Sequence, residues 1–180
     1  TRRVRLLDWT IRKINATSSR SLRRVLDAID EVDPDALALQ EVGDGVRDAL
    51  VAALESRGHV AVTSDVPTRL KGHRVLVAAR RSLVGNSPRV FVHPTFPRAI
   101  VGIEMKDGAR TSALVSFHVP NGANQGWRKA DCLNAIADLA ASNPTSRTLL
   151  LAGDANEPAS YRPDGSAIRS EEHTSELQSR

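Results

Sequence analysis

Residues 34–42 read PDALALQEV, an apolar run that begins at a proline and closes on a carboxylate. Asp33-Pro34 ends the preceding helical pattern, because the residue before proline is biased away from helical backbone angles. The short run from Ala36 to Gln40 is typical of a buried strand. Glu41 therefore stands at the carboxyl end of that strand, where an unpaired carboxylate beside a core is costly and needs a partner.

The segments on either side of this strand alternate between extended and helical patterns. Upstream, Val4 to Trp9 is extended and apolar, and apolar residues then recur at helical spacing from Leu22 to Val32. The Asp107-Gly108 pair between two apolar runs predicts a β-hairpin. The other predicted elements are, in chain order, a helix over 46–54, strands over 59–63, 75–79, 90–92, 100–105 and 111–117, a helix over 127–140 and a strand over 148–152.

The length and composition fit one globular domain. The chain has 180 residues, of which 41% are hydrophobic, and this is enough for a real core. Cys132 is the only cysteine, which excludes an internal disulfide and a cysteine zinc cluster. We find no apolar run long enough for a membrane span and no signal peptide. The chain begins at Thr1 rather than Met, so a cytoplasmic location is only the default. The order of elements predicts an α/β layered domain.

Polar side chains cluster where four of the predicted strands end. The clusters are Trp9-Thr10, Gln40-Glu41, His118 with Asn121, and Asp154 with Asn156. Placing ligand groups at strand ends is a common way to assemble a site on a rigid sheet. Taken singly, Glu41 could begin a loop and Asp154 could cap a turn, but together the clusters favour a site.

The oxygen-bearing side chains of Glu41 and Asp154 suit a hard divalent cation. Mg²⁺ prefers oxygen ligands, keeps several of its waters, and is often held by one or two carboxylates plus a substrate phosphate. Zinc fits poorly, because the chain has no thiolate cluster and no paired histidines. We therefore expect Mg²⁺ as the cofactor, with Mn²⁺ as the alternative.

Four motifs, in order along the chain, resemble those of the endonuclease/exonuclease/phosphatase superfamily of Mg²⁺-dependent phosphoesterases. They are LLDWTIRKIN (6–15), PDALALQEV (34–42), SFHVPNG (116–122) and LLLAGDANEP (149–158). The resemblance implies a four-layer α/β/β/α sandwich, in which two mixed sheets are flanked by helices. It also implies in-line attack of water on a phosphodiester or phosphomonoester bond.

On this resemblance Glu41 is the principal metal ligand. The family usually has asparagine after the tryptophan of the first motif, near the metal, and here that position is Thr10. A threonine hydroxyl is shorter than an amide and does not offer the same pair of groups. We therefore expect Thr10 to be a weak ligand, or one that binds through a water.

The resemblance also implies roles for residues that act on the substrate. Asp154 is expected to orient or activate the attacking water, and Asn156 to help hold the phosphate and that water. His118 is expected to donate to a phosphate oxygen, and such donors are typically worth about 10²–10³ in rate. Asn121 and Arg80, the latter at a predicted strand end, are expected to add substrate contacts.

Residues 169–180 differ in character from the rest of the chain. Their sequence RSEEHTSELQSR has no apolar periodicity and resembles the translation of a sequencing-adapter oligonucleotide. We therefore assign a partial domain to residues 1–168, incomplete at its C-terminus, and expect 169–180 to be non-native. The family's final Asp-His motif has no counterpart before Ile168, and His173 lies in the adapter-like segment. We expect this chain to be unstable and inactive by itself, and its full-length parent to be an enzyme.

The charge balance bears on the substrate. The formal net charge is +4, and arginine supplies most of the basic residues, which suits a polyanionic partner such as DNA or another nucleic acid. We interpret the protein as a monomeric, nuclease-like phosphodiesterase, although the family also acts on phospholipid headgroups, phosphoinositides and nucleotides. His118 stands where abasic-site endonucleases have tyrosine, which weakens that assignment.

Two other functions stay open on sequence alone. A non-catalytic module that binds phosphate or nucleic acid would keep the fold and lose the chemistry through Thr10. A structural pseudo-domain would have no phosphate site. Trp127, at the start of the last helix, either stacks on a base or packs against the helix as a hydrophobic staple.

Overall fold

The computed structural model describes residues 3–11, 19–63, 73–120, 127–156, 160–161 and 167–168. Its strands are, in chain order, Leu6–Thr10 (β1), Ala36–Gly43 (β2), His59–Thr63 (β3), His73–Arg80 (β4), Val90–Val92 (β5), Ile100–Asp107 (β6), Arg110–His118 (β7), Arg147–Asp154 (β8), Ser160–Tyr161 (β9) and Ala167–Ile168 (β10). Its helices are Ser19–Val32 (α1), Arg47–Ser56 (α2), Arg81–Val84 (α3) and Trp127–Ala141 (α4). Asn121 and the adapter-like residues 169–180 lie outside the described residues.

The first sheet has the strand order β1-β2-β4-β3. β1 and β2 are parallel, and β4 runs antiparallel to both β2 and β3. The apolar stripe predicted for the first helix faces this sheet, because alternate residues of β2 pack against α1 and α2. The core of this layer includes Val25, Ile29, Leu37, Leu39, Leu50 and Leu54.

The second sheet has the strand order β5-β6-β7-β8. β6 and β7 form the predicted hairpin, in which Asp107 pairs with Arg110 and Gly108 adopts a φ of +59°. β7 and β8 are parallel. The outer face of this sheet packs on α4 through Cys132, and burial raises the pKa of its thiol to about 11. Cys132 therefore behaves as a small apolar residue.

The two sheets pack face to face and confirm the four-layer α/β/β/α sandwich. The other face of β2 carries Ala36 and Ala38, which meet the second sheet rather than the helices. The core between the sheets also includes Val75, Val77, Val101, Ile103, Met105 and Leu114. Both sheets are mixed, as the family resemblance implied. No helix in the described part of the chain is long and apolar enough to cross a membrane.

Three short elements, α3, β9 and β10, were not predicted from the sequence. α3 is a single turn that follows β4 directly, and its Leu83 and Val84 are buried. One turn is too short to show helical periodicity, so no element was predicted at these residues. β9 and β10 form a two-residue antiparallel pair, which is too short for any alternation to be visible.

Candidate active site

The carboxyl ends of β1, β2, β7 and β8 meet at one edge of the sandwich. Thr10 lies opposite Gln40 in the first sheet, and His118 lies opposite Asp154 in the second. The two edges face each other, because the Gln40 side-chain amide donates to Ser116 Oγ across the sheets at 3.1 Å. We call this the catalytic edge. The structure thus brings together the strand ends that carry the predicted polar clusters.

A β-bulge in β2 sets the direction of the Glu41 side chain. The register against β4 shifts between Leu39 and Val42, and both of these residues pack towards the helices. Glu41 lies inside the bulge with a φ of +58°, a conformation that costs a residue with a side chain about 1–3 kcal/mol. Bulges next to active sites often re-aim a side chain. Here the Glu41 carboxylate Oε1 lies 3.8 Å from His118 Nε2 of the other sheet.

The positive φ at Glu41 predicts an inverted order of stability for two substitutions. We expect Glu41→Gly to be more stable than Glu41→Ala by about 1 kcal/mol, because glycine adopts this φ without steric cost. Chemical denaturation of the two variants measures the difference. At Glu104, a β6 residue without a positive φ, alanine should be the more stable of the same pair. Equal stability of the two Glu41 variants would contradict the bulge.

Asp154 and Asn156 form a compact turn after β8. The Asn156 backbone N–H donates to Asp154 Oδ1 at 2.8 Å, and Asn156 has a φ of +50°, which asparagine tolerates better than most residues. Its side-chain nitrogen lies 2.5 Å from the Val119 carbonyl oxygen and 3.1 Å from His118 Nε2. The turn therefore presents Asp154, Asn156 and His118 as one group.

The hydrogen bonds of Asn156 define how His118 is protonated. The Val119 carbonyl oxygen can only accept, so it orients the Asn156 NH₂ group, whose second N–H points at His118 Nε2. Nε2 then accepts, and the proton of the neutral ring is on Nδ1. Burial lowers the pKa of His118, Asp154 and Glu41 oppose this shift, and His73 adds to it. The lowered pKa favours the neutral form of the His118 ring.

Gln40 ties the two sheets together beneath the site. Its side chain is fully buried, its amide donates to Asp8 at 2.9 Å and to Ser116, and its carbonyl accepts from the Thr10 hydroxyl at 3.3 Å. The Thr10 hydrogen is therefore used within the protein, while the oxygen keeps lone pairs for a ligand. The sequence placed Gln40 in a polar cluster but gave it no role, because Asp8 and Ser116 are distant from it along the chain.

The side chains at the catalytic edge fit Mg²⁺ better than a metal that needs a full protein cage. Glu41, Asp154 and Thr10 offer oxygen atoms, and Glu41 makes no hydrogen bond to another described residue apart from its approach to His118. Among the described residues, no three His, Cys, Asp or Glu side chains group closely enough to hold a metal by themselves. Mg²⁺ does not need such a group, because waters and a substrate phosphate complete its shell.

The structure does not bring Arg80 to the catalytic edge, which corrects its expected role as a substrate contact. β4 runs antiparallel to β2, so Arg80 lies beyond the Ala36–Ala79 pair, roughly 17–20 Å along the strands from Glu41. Its guanidinium donates to Asp33 and to the Arg57 carbonyl oxygen. Asn121 lies outside the described residues, so its role stays a prediction.

Two arginines, Arg74 and Arg98, bind Asp44 just after β2. Arg74 Nε donates to Asp44 Oδ1 at 2.5 Å, and Arg98 Nη2 donates to Oδ2 at 2.8 Å. The Arg98 carbonyl accepts from the Val75 N–H of the first sheet, and the next carbonyl, that of Ala99, accepts from the His118 N–H of the second. This Asp44 cluster therefore braces both sheets at the catalytic edge.

The Asp44 cluster predicts a pH-dependent contribution to stability. Burial raises the pKa of Asp44, but hydrogen bonds from Arg74 and Arg98 outweigh this and lower it to about 2. The stabilisation is therefore present above pH 4 and disappears as the pH falls towards 2. The shift corresponds to about 2.4 kcal/mol, and because 36% of the side chain is exposed we expect about 1 kcal/mol. The test is chemical denaturation of wild type and Asp44→Asn over a range of pH. The difference between their free energies of unfolding should shrink below pH 4, and a difference that stays constant would contradict this prediction.

Close packing of β8 against β7 explains why residue 153, just before Asp154, is a glycine. A Cβ at this position would overlap the backbone carbonyl oxygen of Phe117 on β7. We expect Gly153→Ala to cost about 1–3 kcal/mol of folding stability and to slow catalysis about 10²-fold by displacing His118 and Asp154. Thermal melting and initial rates measure the two effects.

Gly102→Ala is the matched control, because its Cβ would meet the Phe91 ring in the same sheet. The Gly102→Ala variant should lose folding stability and keep the wild-type rate of hydrolysis. An undiminished rate in Gly153→Ala would contradict the role of close β7–β8 packing.

The two mixed sheets between helices and the polar strand ends at one edge of the sandwich define the structural class of this protein. The sequence model of the endonuclease/exonuclease/phosphatase family matches residues 11–170, and the chain belongs to this family. No curated protein gives a significant match.

Solved structures of the same fold are similar to this chain at low sequence identity. ANGEL2, described as a 2′,3′-cyclic phosphatase, aligns with a TM-score of 0.57 at 18% identity over 76% of this chain and 43% of its own. TDP2 of D. rerio, solved with a single-strand DNA product, aligns with a TM-score of 0.64 at 16% identity over 85% of this chain and 60% of its own. The human Nocturnin catalytic domain, solved with a sulfate anion, aligns with a TM-score of 0.59 at 17% identity over 86% of this chain and 65% of its own. This chain therefore spans less than two thirds of these three proteins.

Proposed function

We propose that the protein is a Mg²⁺-dependent hydrolase of phosphoester bonds, and specifically a nuclease-like phosphodiesterase. The observation that carries the proposal is the approach of Glu41 to His118 across the two sheets, at 3.8 Å, beside the turn that holds Asp154 and Asn156. A carboxylate, an imidazole and a second carboxylate around one edge supply the metal ligand, the phosphate donor and the base that this reaction needs.

Glu41 is the residue that holds the metal in this proposal. Its carboxylate is fixed by the bulge rather than by a hydrogen-bonded partner among the described residues, so it keeps its oxygens available. Thr10 would assist through its oxygen, directly or through a water, because its hydrogen is committed to Gln40. When bound, Mg²⁺ neutralises charge on the phosphoryl and leaving oxygens.

Asp154 acts on the water in this proposal. One of its carboxylate oxygens accepts from the Asn156 backbone, which fixes the orientation of the group. The other oxygen makes no hydrogen bond to another described residue and can accept a proton from a water placed in line with the scissile bond. The Asn156 side chain, held by the Val119 carbonyl, supplies an oriented amide beside that water.

His118 faces the phosphate in this proposal. Its ring is half-buried, lies 3.8 Å from Glu41 Oε1 and contacts the Asn156 side chain, so it is already positioned where charge would develop on a phosphate oxygen. A donor role at Nε2 requires that Asn156 give up this nitrogen or that the ring take up a proton. Asn121 would add a substrate contact from the segment that follows.

The similar proteins and the charge support a phosphodiester of nucleic acid or a nucleotide as the substrate. TDP2 was solved with a single-strand DNA product, and ANGEL2 is described as a 2′,3′-cyclic phosphatase. The net charge of +4 suits such a polyanion. The alternative, a non-catalytic phosphate-binding module, is favoured by one observation, which is that the Thr10 hydroxyl is engaged by Gln40.

The test is hydrolysis of a base-free phosphodiester by the protein encoded by the complete reading frame that contains residues 1–168, with the 180-residue chain beside it. We expect turnover with Mg²⁺ or Mn²⁺, loss on addition of chelator and recovery when the metal is restored. Phosphate-dependent binding without turnover under any of these conditions would favour the binding module instead.

A further inference from the structure

Trp127, the first residue of α4, is exposed over 85% of its surface. Tryptophan is highly buried on average, and at the start of a helix it ordinarily packs as a hydrophobic staple. Trp127 does not do so, because its side chain lies almost wholly in solvent. The side chain is therefore available for a ligand.

Trp127 lies next to the catalytic edge. Lys129, two residues further on, donates from Nζ to the Asn156 carbonyl oxygen at 3.0 Å, and Asn156 in turn contacts His118 at 3.1 Å. Residues two apart on a helix do not face the same side, but Trp127 and Lys129 both line one groove at the start of α4. The first turn of α4 thus adjoins the residues that the proposed function places around the phosphate.

An open groove of about 380 Å³ runs along this part of α4. It is lined by Trp127, Lys129, Ala130 and Leu133, mostly with apolar surface. Leu133 is itself partly exposed. The groove therefore combines an exposed aromatic face, an apolar floor and a cationic side chain fixed to the catalytic turn.

We propose that Trp127 is a specificity-determining residue that stacks on a nucleobase of the substrate, next to the phosphate at the catalytic edge. This inference rests on the proposed function, because that function places the phosphate. An exposed indole beside a phosphate site matches the combination of stacking surface and basic groups by which proteins hold single-stranded nucleic acids. The substrate class is then a single-stranded nucleic acid or nucleotide rather than a lipid or an inositol phosphate.

Charge around Trp127 favours this occupant. Arg128 follows it directly and is exposed, and Lys129 adds a second cation. The first five residues of α4 thus carry one large aromatic ring, two cations and one exposed carboxylate, that of Asp131, and the net positive charge suits a planar base attached to phosphates. An interfacial membrane contact would also use tryptophan and basic residues, and the experiment separates the two.

The experiment compares the affinity for a dye-labelled thymidine decamer with that for an abasic decamer of equal length. Chelator is present to prevent turnover, and fluorescence anisotropy gives both Kd values for the protein used in the hydrolysis test. We expect the base-bearing strand to bind about 5- to 20-fold more tightly. In Trp127→Ala the ratio of the Kd for the abasic decamer to that for the thymidine decamer should fall to near one, and in Trp127→Phe this ratio should be largely restored.

Val32→Ala, another exposed apolar residue but on α1 of the opposite outer layer, is the matched control and should keep the ratio. Because Trp127 is exposed, its replacement should leave the melting temperature nearly unchanged. A ratio that does not depend on Trp127 would overturn the inference. So would a Trp127-dependent affinity for anionic phospholipid vesicles that exceeds the affinity for the decamer.

Hydrolysis of the abasic decamer with Mg²⁺ separates this inference from the proposed function. Metal-dependent cleavage together with a Kd ratio that does not depend on Trp127 overturns the stacking role of Trp127 and leaves the proposed hydrolase activity standing. A Kd ratio that depends on Trp127, without any cleavage, supports the stacking role of Trp127 and overturns the proposed hydrolase activity.

Discussion

Replacement of Glu41 by glutamine should lower kcat/KM for phosphodiester hydrolysis by at least about 10³-fold, which corresponds to about 4 kcal/mol of transition-state stabilisation. Glutamine keeps the shape and removes the charge that would hold Mg²⁺. The Mg²⁺ concentration needed for half-maximal rate should also rise. Initial rates over a Mg²⁺ titration measure both effects.

Glu104→Gln is the matched control, because Glu104 is also a poorly exposed strand glutamate and pairs with Arg147 on the second sheet. It should keep the rate within about twofold, and any loss of stability should be modest, as for other weak ion pairs. If Glu41→Gln retained the wild-type rate and Mg²⁺ response, Glu41 would not be the metal ligand.

Replacement of His118 by glutamine should lower kcat by about 10²–10³-fold with a smaller change in KM, as expected for a donor that acts mainly in the transition state. The backbone N–H of His118 would keep its bond to the Ala99 carbonyl, so the β7 strand end should stay in place. Steady-state kinetics at saturating Mg²⁺ measure the effect.

His59→Gln is the control for a histidine substitution. His59 is buried at the opposite edge and bonds to the Pro34 carbonyl oxygen, so its replacement should cost stability rather than rate. Equal losses of kcat in the two variants would show that the His118 effect comes from misfolding.

The strand-end residues were predictable because parallel strands finish at the same edge. The pairs β1–β2 and β7–β8 are parallel, and each pair delivers its polar residues where the motifs indicated. Arg80 was misplaced by the same reasoning. It also follows a strand, but that strand is antiparallel to its neighbours, so its carboxyl end points away from the site. Strand direction is a property of the whole sheet and is not visible in the local pattern.

The local geometry of the site was also hidden from the sequence. No apolar alternation indicates that Glu41 has a positive φ, since a bulge changes the register of a strand by one residue. The Asp44 cluster joins residues from three separate segments of the chain, and Gln40 joins both sheets. Such contacts exist only once the sheets are packed.

A double-mutant cycle on Glu41 and His118 tests the central claim most directly, because these residues come from different sheets and are proposed to act on one phosphoryl group. The measurement is kcat/KM for Glu41→Gln, His118→Gln and the double variant on the same phosphodiester. When two residues act as a unit, the effects of replacing them do not add. The kcat/KM of the double variant should therefore be within about tenfold of that of the slower single variant. Losses that multiply in full, or single variants that both retain wild-type rates, would contradict a shared catalytic centre at this edge.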